Sequence, residues 1–155
     1  MNWKHRSVAA AVFLSSNTLL VHQRSAKKDL YPLYWDIFVQ GALPSGVEPE
    51  IQMRRELWEE MGIEGSKLLP LGEQYFENRN NRAFYSVYGT FAHFPSLKFQ
   101  DGEVVAAREM HVFEIEAFFQ EYRVVPDSKF LWRWLLKLGG DEDDSSVPFL
   151  RGEES

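Results

Sequence analysis

The strongest constraint on this sequence is a short acidic helix that directly follows a loop rich in glycine and proline. The loop covers Gly41–Val47 and contains two glycines and one proline. Pro49 suits the first turn of a helix, where its missing N–H group leaves no hydrogen bond unmade, and Gly62 is a good helix terminator. The pattern therefore predicts a loop, a helix over Pro49–Met61 and a second loop.

Three glutamates fall on one face of this helix. Glu56, Glu59 and Glu60 are spaced i, i+3 and i+4, which brings their carboxylates together on a helix. Like charges at this spacing repel, so water or a bound cation must offset them. Oxygen-only ligands select hard cations such as Mg²⁺, Mn²⁺ or Ca²⁺, and Gly41 permits the close backbone approach that would add a carbonyl oxygen. Taken alone, the pattern is better explained by a solvated acidic helix face.

The rest of the chain mixes strands and helices without regular alternation. Apolar and β-branched runs predict strands at 7–14, 18–23, 35–39, 68–77, 83–94 and 103–112, and a short helix at 114–122. Apolar residues recur at helical spacing between positions 131 and 138, and Asp127 or Ser128 is expected to cap this last helix. This order favours an α+β fold with a mixed β-sheet.

Composition narrows the classes of function. The chain has 155 residues, enough for one ordinary domain, with no cysteine and a net charge of −6. The missing cysteines exclude a disulfide scaffold, a thiolate zinc site and a cysteine nucleophile. The acidic balance argues against a nucleic-acid partner, and no apolar run approaches the roughly 18 residues that a membrane span needs.

Most of the acidity lies at the end of the sequence. Asp141–Ser155 holds six acids and one base, and Val147–Leu150 within it is apolar again. We therefore expect one domain over residues 1–140 and an acidic C-terminal tail over residues 141–155.

Residue by residue, the loop and helix resemble the signature of the Nudix family. That signature runs glycine, five residues, glutamate, seven residues, arginine–glutamate, an apolar residue, any residue, two glutamates, any residue, glycine and an apolar residue. The positions that match are Gly41, Arg55, Glu56, Leu57, Glu59, Glu60, Gly62 and Ile63. Val47 departs from the signature, because it stands where the first glutamate is expected. The stretch from Lys28 to Asp36 resembles the branch similar to isopentenyl-diphosphate isomerase.

The resemblance implies both a fold and an activity. The expected fold is a Nudix-like α/β/α sandwich with a mixed β-sheet and a catalytic loop-helix-loop. The expected activity is hydrolysis of a diphosphate linkage in a nucleoside diphosphate derivative or another phosphorylated small molecule, with Mg²⁺ or Mn²⁺ as cofactor. Cytoplasm is the default location, and the β-rich segments offer apolar faces for a homodimer.

The resemblance also implies roles for individual residues. Metal ligands would be the carbonyl of Gly41 and the carboxylates of Glu56, Glu59, Glu60 and Glu103, and Asp101 is the alternative to Glu103. The same four glutamates and Arg55 would be the catalytic residues. Substrate-binding residues would be Arg24, Lys28, Trp35, Phe38 and Arg82, for which the alternatives are a solvated surface for the cations and core packing for the aromatic rings.

Two other functions fit parts of the sequence. Isopentenyl-diphosphate isomerases need a cysteine just before the signature glycine and a histidine just after it, and Gln40 and Ala42 occupy these places here. Isomerase activity is therefore disfavoured. Val47 alone favours a catalytically weak binding module, because it leaves Arg55 in need of another partner: Glu48, Glu50 or a substrate phosphate.

Overall fold

The computed structural model of this chain describes residues 5–99 and 102–138. Within these ranges seven strands form one sheet, and no helix is long and apolar enough to cross a membrane. The strands are β1 (His5–Phe13), β2 (Thr18–Arg24), β3 (Trp35–Asp36), β4 (Val39–Ala42), β5 (Leu69–Glu77), β6 (Arg82–Phe91) and β7 (Val104–His111), and the α-helices are α1 (Pro49–Met61), α2 (Ile115–Glu121) and α3 (Pro126–Leu138). Asp101 and the predicted tail lie outside the described residues, so the boundary predicted at residue 140 stays a prediction.

The sheet is built around β1. This strand runs parallel to β6 along its whole length, from His5 opposite Ala83 to Phe13 opposite Phe91. On its other edge β4 pairs antiparallel with the first half of β1, and β2 joins it near the hairpin. Strand β2 then diverges to pair with β3 and β7. This mixture of parallel and antiparallel pairs confirms the predicted mixed sheet.

Helices cover both faces of the sheet. The last six residues of β1 are all buried, and successive side chains of a strand point to opposite faces. Val8, Ala10 and Val12 belong to one core cluster with residues of α1. Ala9, Ala11 and Phe13 belong to a second cluster with residues of α2 and α3. The predicted α/β/α sandwich is therefore confirmed.

Two local boundaries differ from the prediction. The strand predicted at 35–39 is divided into β3 and β4, because the Asp36 carboxylate accepts a hydrogen bond from the Phe38 N–H (3.0 Å) and turns the chain between them. Helix α3 begins at Pro126, so Asp127 and Ser128 lie in its first turn and neither is the predicted cap. The Ser128 Oγ instead accepts a hydrogen bond from the Ile37 N–H (3.1 Å). This bond holds the first turn of α3 against the turn between β3 and β4.

Candidate active site

Helix α1 carries the acidic face, and its ends lie where the sequence predicts them. Pro49 occupies the first turn, and Gly62 ends the helix with φ of 71°, in the left-handed region that glycine adopts without strain. The Gly62 N–H donates to the carbonyl of Trp58 (3.0 Å). Leu57 and Met61 are buried in the core on an adjacent face of the helix. Glu56 and Glu60 therefore lie at the border between the core and the surface, and Glu59 lies on the exposed side.

Strand β4 brings Gly41 directly against Glu56. A Cβ atom added to Gly41 would lie 2.6 Å from Glu56 Cγ and closer still to the carboxylate. A side chain at position 41 would therefore displace Glu56. Glycine is required here because the backbone of β4 and a carboxylate of α1 lie against each other.

The carboxyl groups of Glu56 and Glu60 converge. Burial followed by repulsion from Glu56 raises the pKa of Glu60 well above its ordinary value. Burial also raises the pKa of Glu56, although its hydrogen bond from Gln52 opposes this shift. Glu59 is exposed beside them, and its negative charge also raises the pKa of Glu56. Two predicted ligands therefore lie together and the third lies nearby.

The donor set suits a hard divalent cation. Among residues 5–99 and 102–138, no three His, Cys, Asp or Glu side chains are already arranged as a metal site. The groups that do meet are carboxylates and a close-lying backbone, which are the oxygen donors that Mg²⁺ and Mn²⁺ accept. The Glu56 and Glu60 carboxylates repel each other, and burial strengthens this repulsion. A cation between them would offset it.

Gln52 is a site residue that the sequence analysis missed. Its Nε2 donates to the Glu56 carboxylate (2.8 Å), and its Oε1 accepts from Arg55 Nη1 (3.3 Å). Gln52 is buried, so it fixes Glu56 and supplies a partner for Arg55. Glu50, one of the partners considered for Arg55, instead pairs with Arg54 (3.2 Å). The signal in the sequence was the spacing of Gln52, four residues before Glu56.

Lys28 and Glu103 form an ion pair at the edge of the acidic cluster. The Lys28 Nζ lies 3.0 Å from Glu103 Oε1. The two residues meet because β2, which precedes Lys28, pairs with β7, which follows Glu103. The Lys28 ammonium also lowers the pKa of both Glu56 and Glu60, although burial outweighs it. Lys28 and Glu103 are thus both placed beside the predicted metal ligands.

A polar cavity of about 220 Å³ opens next to Gly41. Six residues that matter for its chemistry are Arg24, Lys28, Gln40, Gly41, Asn81 and Asp127. The Arg24 guanidinium lines this cavity and also donates to the carbonyls of Leu30 (2.8 Å) and Tyr31 (3.2 Å). Arg24 therefore shapes the loop that forms one wall.

Two buried acids lie at this cavity: Asp127 lines it, and Asp36 contacts its lining residue Gln40. Burial, followed by repulsion from Asp127, raises the pKa of Asp36 to about 7. Burial also raises the pKa of Asp127, which accepts a hydrogen bond from the Tyr85 hydroxyl. Asp36 accepts from Gln40 Nε2 (2.8 Å), so the residue before Gly41 is fixed by this group.

Three of the predicted substrate-binding residues lie elsewhere. Phe38 is fully buried in the core that faces α2 and α3, so its predicted contact with substrate is corrected to core packing. Trp35 packs edge-on against Phe118, with ring centroids 5.6 Å apart. Arg82 lies on the hairpin between β5 and β6, 3.4 Å from Glu77 Oε2. In the described part of the chain, none of these three residues lines the cavity beside Gly41.

Comparison with known proteins gives consistent matches. Residues 3–135 match the model of the NUDIX domain. PA4841 of Pseudomonas aeruginosa, named an uncharacterized Nudix hydrolase, is 32% identical over 103 residues, which cover 66% of this chain and 60% of that protein. This chain therefore spans less than two thirds of that relative. YfcD of Escherichia coli K12, also named an uncharacterized Nudix hydrolase, is 29% identical over 140 residues, which cover 90% of this chain and 76% of YfcD.

Solved structures share the fold. DR0079 from Deinococcus radiodurans superposes with a TM-score of 0.71 at 24% identity, covering 83% of this chain and 82% of that one. The NUDIX domain of NrtR from Shewanella oneidensis, solved in complex with ADP ribose, superposes with a TM-score of 0.65 at 14% identity, covering 84% and 85%.

Proposed function

Since this chain belongs to the Nudix hydrolases, a family that acts on pyrophosphate bonds, we propose that it hydrolyses the diphosphate linkage of a phosphorylated small molecule. The observation that carries this proposal is the convergence of Glu56 and Glu60 beside Gly41, where an added side chain would displace the Glu56 carboxylate. Keeping two partly buried acids together is unfavourable without a cation. The arrangement is thus better suited to binding a divalent ion than to stabilising the fold.

We assign the metal-holding role to Glu56, Glu59, Glu60, Glu103 and the carbonyl of Gly41. A bound Mg²⁺ or Mn²⁺ neutralises a diphosphate and makes a water molecule more acidic. Gln52 keeps the Glu56 carboxylate oriented, and a glutamate of the same cluster accepts the proton of the attacking water. Lys28 and Arg55 supply positive charge for the phosphates. If Lys28 bound a phosphate in place of Glu103, the carboxylate of Glu103 would be free to hold the metal.

The cavity beside Gly41 supports a substrate with a polar organic part. Gln40, Asn81 and Asp127 offer both hydrogen-bond donors and acceptors to a bound molecule. A prenyl chain would offer these groups no hydrogen-bonding atom, whereas a nucleoside diphosphate derivative would offer both donors and acceptors. The ADP ribose bound by the NrtR domain belongs to this chemical class, so we propose a nucleoside diphosphate derivative as the substrate.

Val47 gives little support to a catalytically weak binding module. Its N–H donates to the Pro44 carbonyl (3.2 Å), so the loop closes without the glutamate of the signature. Arg55 has Gln52 as its partner. Both observations favour an active enzyme. The cytoplasmic location and the homodimer stay predictions.

A substrate panel tests the proposed function. Purified protein is incubated with ADP ribose, nucleoside diphosphates, nucleoside triphosphates and geranyl diphosphate, with and without Mg²⁺ or Mn²⁺, and the released phosphate and nucleotides are measured. We expect a nucleoside diphosphate derivative to be cleaved only with the cation. Glu56→Gln and Glu60→Gln should lower the rate at least about 100-fold, whereas Glu64→Gln, at an exposed residue beyond α1, should not. Full activity in both cluster variants would contradict the proposal.

A further inference from the structure

An aromatic groove lies between α3 and β5, and its lining includes none of the residues assigned to the active site. Its volume is about 580 Å³. The rings of Phe76 and Phe130 form part of its floor, with centroids 5.4 Å apart, and Phe130 is 37% exposed. Trp134 lies over Gly72, where an added Cβ would come within 2.9 Å of the indole ring. The absence of a side chain at Gly72 therefore lets Trp134 pack against β5 at the edge of the groove.

A ridge of positive charge borders the groove. Lys129, Arg133 and Lys137 all line it and are spaced four residues apart on α3, which places them in one row. Arg133 is held by Glu116 at 2.9 Å. In the part of the chain that the structure describes, Lys129 and Lys137 have no ion-pair partner. The groove thus combines aromatic surface with two available cations.

The sequence that follows α3 is complementary to this groove in both charge and order. Gly139 and Gly140 come first, then the four acids of Asp141–Asp144, and then the apolar run Val147–Leu150. A chain that reverses at the glycines passes the end of α3 that carries Lys137 before it reaches Phe130 and Phe76. The acids would therefore meet the basic ridge before the apolar run meets the rings.

We propose that residues 141–150 bind back along α3, with Asp141–Asp144 on the basic ridge and Val147–Leu150 on the aromatic floor. The distances allow this. Lys129 and Lys137 are separated by about 12 Å along the helix axis, and an extended chain of ten residues spans up to about 33 Å. The proposal is independent of the catalytic site, because it uses none of the residues assigned there.

Paramagnetic relaxation in the full chain tests the proposal. The chain has no cysteine, so Ser146→Cys provides a single attachment point for a nitroxide label. We expect the label to broaden the amide signals of residues 74–76 and 129–134, and the indole N–H of Trp134, in dilute protein. The double variant Lys129→Glu, Lys137→Glu should lose this broadening, and so should Phe149→Ser. The matched control Lys67→Glu, Lys98→Glu, at exposed lysines outside the groove, should keep it.

Three results would overturn the proposal. One is broadening that is absent or evenly spread over the surface. Another is broadening that survives both the charge reversal and Phe149→Ser. The last is broadening of ¹⁵N-labelled chains by separate nitroxide-labelled chains in a mixture, because this would assign the groove to a second copy. The unperturbed signals of β1 and β6 report in each variant that the fold is intact.

Discussion

Replacing Gly41 with alanine separates catalysis from stability at the centre of the site. The added Cβ would lie 2.6 Å from Glu56 Cγ, whereas two carbon atoms in contact need about 3.5–4.0 Å. The obstacle is the end of a flexible side chain, so Glu56 yields and the strand stays in place. We therefore expect Glu56 Cγ to move by about 1 Å, the difference between these distances, and the carboxylate, which lies closer to the added Cβ, to move at least as far.

The two expected effects differ in size. A displacement of about 1 Å at a catalytic group costs about 100-fold in rate, which is about 2.7 kcal/mol of transition-state stabilisation. The free energy of unfolding should fall by only about 1 kcal/mol, because the hydrogen bond from Gln52 to Glu56 is the main contact at risk. The rise in melting temperature that Mg²⁺ causes should also shrink, since the ion loses a ligand.

Gly65→Ala is the matched control. Gly65 has φ of 75° and no atom within 4 Å of an added Cβ, so alanine there is strained without displacing a neighbour. We expect a loss of about 1–2 kcal/mol in the free energy of unfolding and an unchanged kcat/KM. Thermal unfolding and initial rates of phosphate release measure both quantities in both variants. If Gly41→Ala kept the kcat/KM of the parent, the required approach between Gly41 and Glu56 would be refuted.

Three further substitutions have distinct expected outcomes. Glu60→Gln should lower the hydrolysis rate at least about 100-fold yet raise the melting temperature above pH 7 without divalent ions. The reason is that a partly buried acid with a raised pKa destabilises the fold once the pH exceeds its unfolded value of 4.5. A lower melting temperature would contradict this. Burial lowers the pKa of His22 from 6.5 to about 3, so between these values the unfolded chain binds a proton that the folded chain does not. Urea unfolding should therefore show stability falling by up to about 1.4 kcal/mol per pH unit on acidification, and His22→Gln should flatten this slope. Phe38→Ala should lower the free energy of unfolding by about 3–5 kcal/mol with an unchanged KM, and a raised KM without loss of stability would restore Phe38 to the substrate site.

Local spacing was enough to predict the acidic half of the site. The helix limits at Pro49 and Gly62 depend on backbone chemistry within one turn, and the meeting of Glu56 with Glu60 follows from helical periodicity. These features need no knowledge of the rest of the chain. The same applies to the alternating burial that divides β1 between two cores.

The substrate side depended on contacts that spacing does not encode. Lys28 meets Glu103 only through the pairing of β2 with β7. Phe38 is directed into the core because the Asp36 carboxylate turns the chain after β3, which changes the face on which the following residues lie. Gln52 resembles an ordinary polar helix residue until its burial is known. Each of these depends on tertiary structure.

The pairing of β1 also sets the order in which this protein can be completed during synthesis. Its nine residues are made before those of the other six strands described here, yet the parallel neighbour β6 ends only at Phe91. Closing such a long loop costs entropy before any pairing repays it. Gly41 and Glu56 can meet while the ribosome is still adding residues, but Lys28 finds Glu103 only after β7 has emerged. The acidic half of the site therefore matures before the half that holds the substrate.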